Sequence, residues 1–78
     1  MDSRQDLRHI FAANLRMARA ARGLSQEALA HDAGIARRYL SRIETANTWA
    51  GLEIVSKLAA VLEIEPYELL IPPPRRRG

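Results

Sequence analysis

The run SQEALAHDAGIARRYLSRIE, from Ser25 to Glu44, constrains this chain more than any other segment. Ser25 ahead of Gln26, Glu27 and Ala28 marks a helix start: a serine oxygen at that place accepts a bond from a first-turn amide, and alanine propagates the helix. Leu29, Ala30 and Ala33 then recur at helical spacing and make one narrow apolar face. Gly34 falls where that helix has to end, and glycine enters the left-handed turn region without the steric penalty of a Cβ. Ile35 restarts the apolar pattern, and Leu40 and Ile43 continue it. Arg37, Arg38, Ser41 and Arg42 are left on the opposite, solvent-facing side. The segment reads as two short helices joined by a tight turn, the second carrying three arginines on its outer face.

Three further helices are expected around this pair. Leu7, Ile10, Phe11, Asn14, Leu15 and Ala18 lie at spacings of three and four, which predicts a helix from about Asp6 to Ala21. Asp2, Ser3 and Asp6 favour its N-terminal end and Gly23 stops it. After Gly51, the residues Leu52, Val55, Leu58, Ala59 and Leu62 form one stripe of a fourth helix. Pro66 opens a fifth helix of one or two turns ending at Leu70, since proline at a first helical position loses no amide bond. Strict alternation is absent, so no strand is expected, and no internal repeat is present. The fold class is all-α: a compact five-helix bundle with a helix-turn-helix, forming one domain over residues 1–71. Residues 72–78, PPPRRRG, cannot continue a helix and read as an extended or disordered tail.

Composition narrows the chemistry. The 78 residues contain no cysteine, which removes disulfides and thiolate metal sites, and two histidines are too few for a metal cluster. No apolar run approaches the ~20 residues of a membrane span, and MDSRQDLRHI is not a signal peptide, so a soluble, cytoplasmic protein is expected. No Ser/His/Asp grouping, carboxylate pair or glycine-rich phosphate loop is present, and so small a domain has little room for a pocket. Neither catalysis nor a cofactor is expected. Eight arginines stand against four acids up to Arg42, whereas four basic residues stand against five acids after it. The positive charge gathers around the helix pair, as an anionic partner requires.

A helix braced by a second one, with a guanidinium-rich outer face, meets the requirements for reading a DNA major groove. Arginine presents two parallel donors that match the O6 and N7 acceptors of guanine, so Arg37, Arg38 and Arg42 are candidate base contacts. Arg38 and Arg42 share a face. Arg37 lies about 100° away and could equally clamp a phosphate. Ala36, at the first position of the recognition helix 36–44, could touch a thymine methyl.

The residues Gly23-Leu24-Ser25-Gln26, Leu29-Ala30, Gly34 and Tyr39-Leu40-Ser41-Arg42-Ile43-Glu44 resemble the Cro/C1-type (XRE-like) helix-turn-helix repressors. The likeness continues through Leu52-Glu53, Leu58-Ala59, Leu62 and Pro66-Tyr67-Glu68-Leu69-Leu70, covering roughly residues 10 to 70. It implies a lambda repressor-like DNA-binding domain. By the same resemblance Gln26 hydrogen-bonds a phosphate and braces the recognition helix, with Ser25 and Ser41 beside it as further phosphate contacts. Arg19 and Glu44 occupy the positions of a partly buried, fold-holding ion pair. Tyr39 either packs its ring or hands its hydroxyl to a phosphate.

The loop Thr45–Gly51 departs from the family pattern. A glycine is usual where Ala46 stands, a proline-serine pair where Ala50 and Gly51 stand, and a basic residue at Asn47 or Thr48. A backbone clamp would then rest on amides, Asn47, Thr48 and the Trp49 indole N–H, while Trp49 could alternatively be an aromatic lid or a subunit contact. Glu63 stands in place of a helix-ending glycine, which leaves the end of the fourth helix open.

The expected function is a sequence-specific transcriptional regulator that binds double-stranded DNA at a palindromic operator as a homodimer. Ile64, Tyr67, Leu69, Leu70 and Ile71 form an apolar cluster beyond the needs of one small core and are the expected dimer surface. Stand-alone regulators of this length resemble restriction-modification controller proteins and small phage repressors. The alternative is an antitoxin that binds a partner toxin and autoregulates its operon. Arg75, Arg76 and Arg77 could add nonspecific phosphate affinity.

Overall fold

The computed structural model describes residues 6–72. Within them the chain forms α1 (Asp6–Ala21), α2 (Gln26–Ala33), α3 (Arg37–Glu44), α4 (Leu52–Leu62) and a final 3-10 helix, Pro66–Leu69. No strand occurs among the described residues. The fifth expected helix is therefore a tighter turn than an α-helix. Pro66 opens it, and Glu65 and Glu68 cap it reciprocally, each carboxylate accepting the other residue's backbone N–H. The Ser25 cap forms as expected, its Oγ accepting the Ala28 amide at 3.0 Å. Arg75, Arg76 and Arg77 lie outside the described residues.

All four α-helices close with the same pair of backbone bonds. Within three residues of each helix end, two successive amides reach back to carbonyls of its last turn: Gly23 to Ala20 and Leu24 to Arg19; Gly34 to His31 and Ile35 to Ala30; Ala46 to Ile43 and Asn47 to Arg42; Glu63 to Ala60 and Ile64 to Ala59. This closure needs a left-handed residue at its pivot. Gly23 and Gly34 supply it freely, with φ of 69° and 74°. Ala46 and Glu63 adopt φ of 62° and 61° despite their side chains, so each carries the strain of a Cβ crowding the following carbonyl. The end of α4 is thus settled at Leu62, with Glu63 doing a glycine's task.

The core is a single cluster contributed by every element, including Phe11 and Leu15, Leu29, Leu40 and Ile43, Leu58 and Leu62, and Leu69. α1 packs against α3 and the 3-10 helix, and α2 packs against α3 and α4. Asn14 is the buried exception on the apolar stripe of α1. Its Nδ2 donates to the carbonyls of Leu69 at 3.1 Å and Ile71 at 2.6 Å, fastening the C-terminal segment to α1. Ala12, outside the expected stripe, is also buried.

Two expectations need correction. Leu52 is 81% exposed and belongs to no core stripe, because the core begins only at Ile54 and Val55, and the first turn of α4 lies beyond it. Leu69 is 0% exposed, so it cannot form a dimer surface. The 3-10 turn aims it inward and leaves Tyr67 outside, with Leu70 partly covered.

The left-handed Glu63 gives a stability prediction with a pH signature. Its carboxylate pairs with Arg22 at 2.9 Å, and that hydrogen bond, aided by the guanidinium charge, holds its pKa below the usual 4.5. The benefit of the pair is present above that value and fades as pH falls through the lower folded-state pKa. At neutral pH, Glu63→Gly is expected to raise the melting temperature by a few degrees, because relief of the backbone strain outweighs an exposed ion pair. Its advantage over the parent should widen in acid, where the parent loses the pair. Thermal melts by circular dichroism at both pH values check this, and a lower melting temperature for Glu63→Gly would overturn it.

Candidate nucleic-acid interface

The site is built around one carboxylate. Glu44, the last residue of α3, is only 1% exposed. A carboxylate taken out of water needs donors for both oxygens, and three side chains from two other helices converge on this residue. Arg19 of α1 meets it fork to fork, Nε donating to Oε2 at 2.7 Å and Nη2 to Oε1 at 3.0 Å. Gln26, at the start of α2, donates from Nε2 to the same Oε1 at 2.9 Å. Arg16, one turn before Arg19, donates to the Glu44 backbone carbonyl and so satisfies the C-terminal end of α3. The third nitrogen of Arg19 bonds the Leu24 carbonyl at 2.9 Å, tying the α1–α2 turn into the same cluster. Arg19 and Glu44 are brought together as the resemblance implied. Arg16 was missed, and its only sequence signal is an arginine three residues before Arg19.

Gln26 therefore faces inward and outward at once. One Nε2 hydrogen is committed to Glu44 and the other remains for an acceptor. Its Oε1 lies 3.5 Å from Nη1 of Arg37 on α3. The α2 start and the α3 start are thereby linked at the surface.

The fixed α3 presents two chemically opposite faces. Leu40, Ile43 and Glu44 are buried, and Tyr39 packs partly against the core. Ala36, Arg37, Arg38 and Arg42 are exposed, with Ser41 partly so. Among the described residues, none of these three arginines takes part in an ion pair. Ala36 is the N-cap of α3, which starts at Arg37, and an alanine there offers the first-turn amides no side-chain bond. The open amides and the three guanidinium groups make this end of the molecule attractive to an anion.

The loop after α3 carries the remaining candidates. The Asn47 amide is spent on closing α3, and its side chain donates to Thr45 Oγ1 at 2.8 Å. Thr48 is partly buried and Trp49 is exposed. The Trp49 ring lies under the guanidinium of Arg8, 5.1 Å from its centroid, an arrangement not anticipated from the sequence. Ring and guanidinium border an apolar groove of about 240 Å³ between the start of α1, this loop and the start of α4. Trp49 is therefore a wall of that groove as well as a neighbour of α3. Of the expected dimer residues, Tyr67 and Ile71 are exposed and Ile64 and Leu70 half-buried, whereas Leu69 is inside.

With this arrangement in view, comparison with known proteins is decisive. The helix-turn-helix family model matches residues 15–69. The chain belongs to the Cro/C1-type helix-turn-helix family. It is 42% identical over 72 residues to a hypothetical transcription factor of Neisseria meningitidis serogroup B, covering 92% of this chain and 68% of that protein. The crystal structure of hypothetical transcription factor NHTF from Neisseria superposes with a TM-score of 0.86 at 41% identity, covering 94% of this chain and 83% of that one. The restriction-modification controller protein C.AhdI from Aeromonas hydrophila gives 0.75 at 43% identity, covering 77% and 91%. The clp gene regulator ClgR from Corynebacterium glutamicum gives 0.79 at 26%, covering 82% and 68%. This is a DNA-binding family of transcription regulators. Among the described residues no helix is long and apolar enough to cross a membrane, and no acidic, histidine or cysteine group could hold a metal ion.

The buried pair gives a second prediction. Arg19→Met leaves the Glu44 carboxylate inside without its main counter-charge and should cost about 3–5 kcal/mol of folding stability. Arg19→Met combined with Glu44→Leu removes both charges and should recover much of that loss. Urea unfolding of the two single variants and the double variant measures the coupling. A double variant no more stable than Arg19→Met would contradict the assignment.

Proposed function

We propose that this protein is a sequence-specific transcription regulator that binds a palindromic operator as a homodimer, with α3 lying in the major groove. The observation that carries the reading is the division of α3 into a fixed inner face and an arginine-lined outer one. Leu40, Ile43 and the Glu44 cluster set its rotation, and Arg37, Arg38 and Arg42 project away from the body. A rigidly oriented helix with exposed guanidinium groups can present paired donors to guanine edges.

In this reading Arg38 and Arg42 enter the groove together, and Arg37 serves a base or the adjoining phosphate. Ala36 faces a thymine methyl. Gln26 turns its second Nε2 hydrogen to a phosphate while the first stays on Glu44, so one amide both holds α3 and registers the backbone. Ser25, Tyr39, Ser41, Asn47, Thr48 and the Trp49 indole N–H supply further phosphate contacts. One such motif reads only a half-site, and a two-fold dimer reads two about 34 Å apart. Ile64, Tyr67, Leu70 and Ile71 remain as the C-terminal contribution to that dimer once Leu69 is assigned to the core. The regulator works in the cytoplasm, without catalytic activity.

Fluorescence anisotropy on the DNA upstream of the protein's own gene, against a scrambled duplex at several salt concentrations, tests this. The upstream duplex is expected to bind at least about a thousandfold tighter at moderate salt. Arg38→Ala should weaken operator binding by about 1–3 kcal/mol while changing scrambled-DNA binding much less. Equal, weak binding of both duplexes, set only by salt, would reject this operator.

A further inference from the structure

The groove beside Trp49 has no counterpart in the DNA-reading face. Its walls are Leu7 and Phe11 of α1, Trp49 of the loop, Leu52 and Val55 of α4, and Leu70 after the 3-10 helix. Three of these, Leu7, Trp49 and Leu52, are large apolar side chains left 41%, 58% and 81% exposed. The only described buried polar side-chain atom without a hydrogen-bond partner, Arg8 Nε, belongs to a residue lining the same groove. Large apolar side chains left exposed around one recess are the kind of surface a partner covers.

We infer that this groove is the centre of the homodimer interface, and that Leu52 of each copy inserts into the groove of the other. The inference rests on the homodimer reading above and gives that dimer its principal contact. Three observations select a second copy of this chain as the occupant. First, the surface contains both halves of a self-complementary contact. Leu52 projects from the first turn of α4 beside an apolar recess, and a two-fold axis brings each projection opposite the other recess. Second, charge is complementary in the same sense. Arg8 lies in the groove and Glu53 comes directly after Leu52, so a partner's Leu52 entering the groove carries a carboxylate towards the guanidinium. Among the described residues Glu53 pairs only with the exposed Lys57, at 3.6 Å. Third, the groove is continuous with the C-terminal dimer residues through Leu70, and its loop wall leads directly out of α3.

Trp49 is the sole tryptophan of the chain, so in the absence of DNA its fluorescence reports the state of this groove. The test combines sedimentation equilibrium with tryptophan emission over a dilution series, on the full chain, its Leu52→Lys variant and a Tyr67→Lys control. Leu52 is exposed at a helix start, so Leu52→Lys should fold, and its circular dichroism spectrum should match the parent. The expected result is a dimer whose emission shifts to the red on dilution as Trp49 meets water. Leu52→Lys should weaken dimerisation at least about tenfold and move the emission shift to correspondingly higher protein concentration. Tyr67→Lys should weaken it less. A Leu52→Lys protein that dimerises like the parent, with emission insensitive to dilution, would overturn the groove contact while leaving the homodimer intact. A parent that stays monomeric at all concentrations, with and without operator DNA, would overturn both, and the groove would then belong to some other partner.

Discussion

The Glu44 carboxylate is the constraint on which the rest of the structure depends. It sits where α1, α2 and α3 meet, and each helix contributes to it: Arg16 and Arg19, Gln26, and Glu44 itself. Buried ion pairs contribute little net stability, because the desolvation of both charges offsets most of their attraction. What an apolar contact of equal volume could not supply is direction. Leucine at position 44 would pack at many rotations of α3 about its axis. A carboxylate with named donors on each oxygen accepts very few. The rotation of α3 decides which side chains face outward, so orientation is the property a recognition helix needs most.

The same cluster links holding and reading. Gln26 bonds the buried carboxylate with one amide hydrogen and lies at hydrogen-bond reach of Arg37 with its carbonyl. A chain of polar contacts therefore runs from the interior to the arginine face. If DNA takes the second amide hydrogen of Gln26, the backbone phosphate and the helix that reads the bases are positioned by one residue. Phosphate contacts fix register and base contacts fix sequence, and in the proposed reading the first would be tied mechanically to the second.

Much of this was legible in the sequence, for physical reasons that also explain what was not. Ser25 and Gly34 act through their own backbone neighbourhood, so the boundaries of α2 come from local chemistry. The buried and exposed faces of α3 come from a period of 3.6. Arg19 and Glu44, 25 positions apart, share no local signal, and only the family resemblance paired them. Leu52 was misplaced because periodicity gives the width of an apolar stripe but not where the core ends along the helix axis. Leu69 was misplaced because composition groups the apolar residues from Ile64 to Ile71 into one cluster, whereas the 3-10 turn aims Leu69 inward and leaves Tyr67 outside. Asn14 looked like one more stripe position, although a buried amide demands partners and finds them on the C-terminal segment. Arg8 carried no sequence signal, since its partner Trp49 lies far along the chain and meets it only through the packing of α1 on the loop after α3.

The four helix endings share one geometry and differ in the residue just past the pivot. After Gly23, Gly34 and Glu63 comes a leucine or isoleucine, and each of Leu24, Ile35 and Ile64 packs back against the core. That apolar residue is the usual companion of the closure and draws the chain inward to begin the next element. After Ala46 comes Asn47, which is exposed and turns its side chain to Thr45. The chain beyond α3 is therefore not drawn straight into the core: Trp49 is exposed, Thr48 and Ala50 are only partly buried, and Gly51 then starts α4. The one helix that faces DNA in the proposed function has the one ending whose next residue is polar. An inward turn there would have buried the loop that borders both the arginine face and the groove. The polar residue keeps that loop at the surface, where the proposed phosphate contacts and the proposed dimer contact both need it.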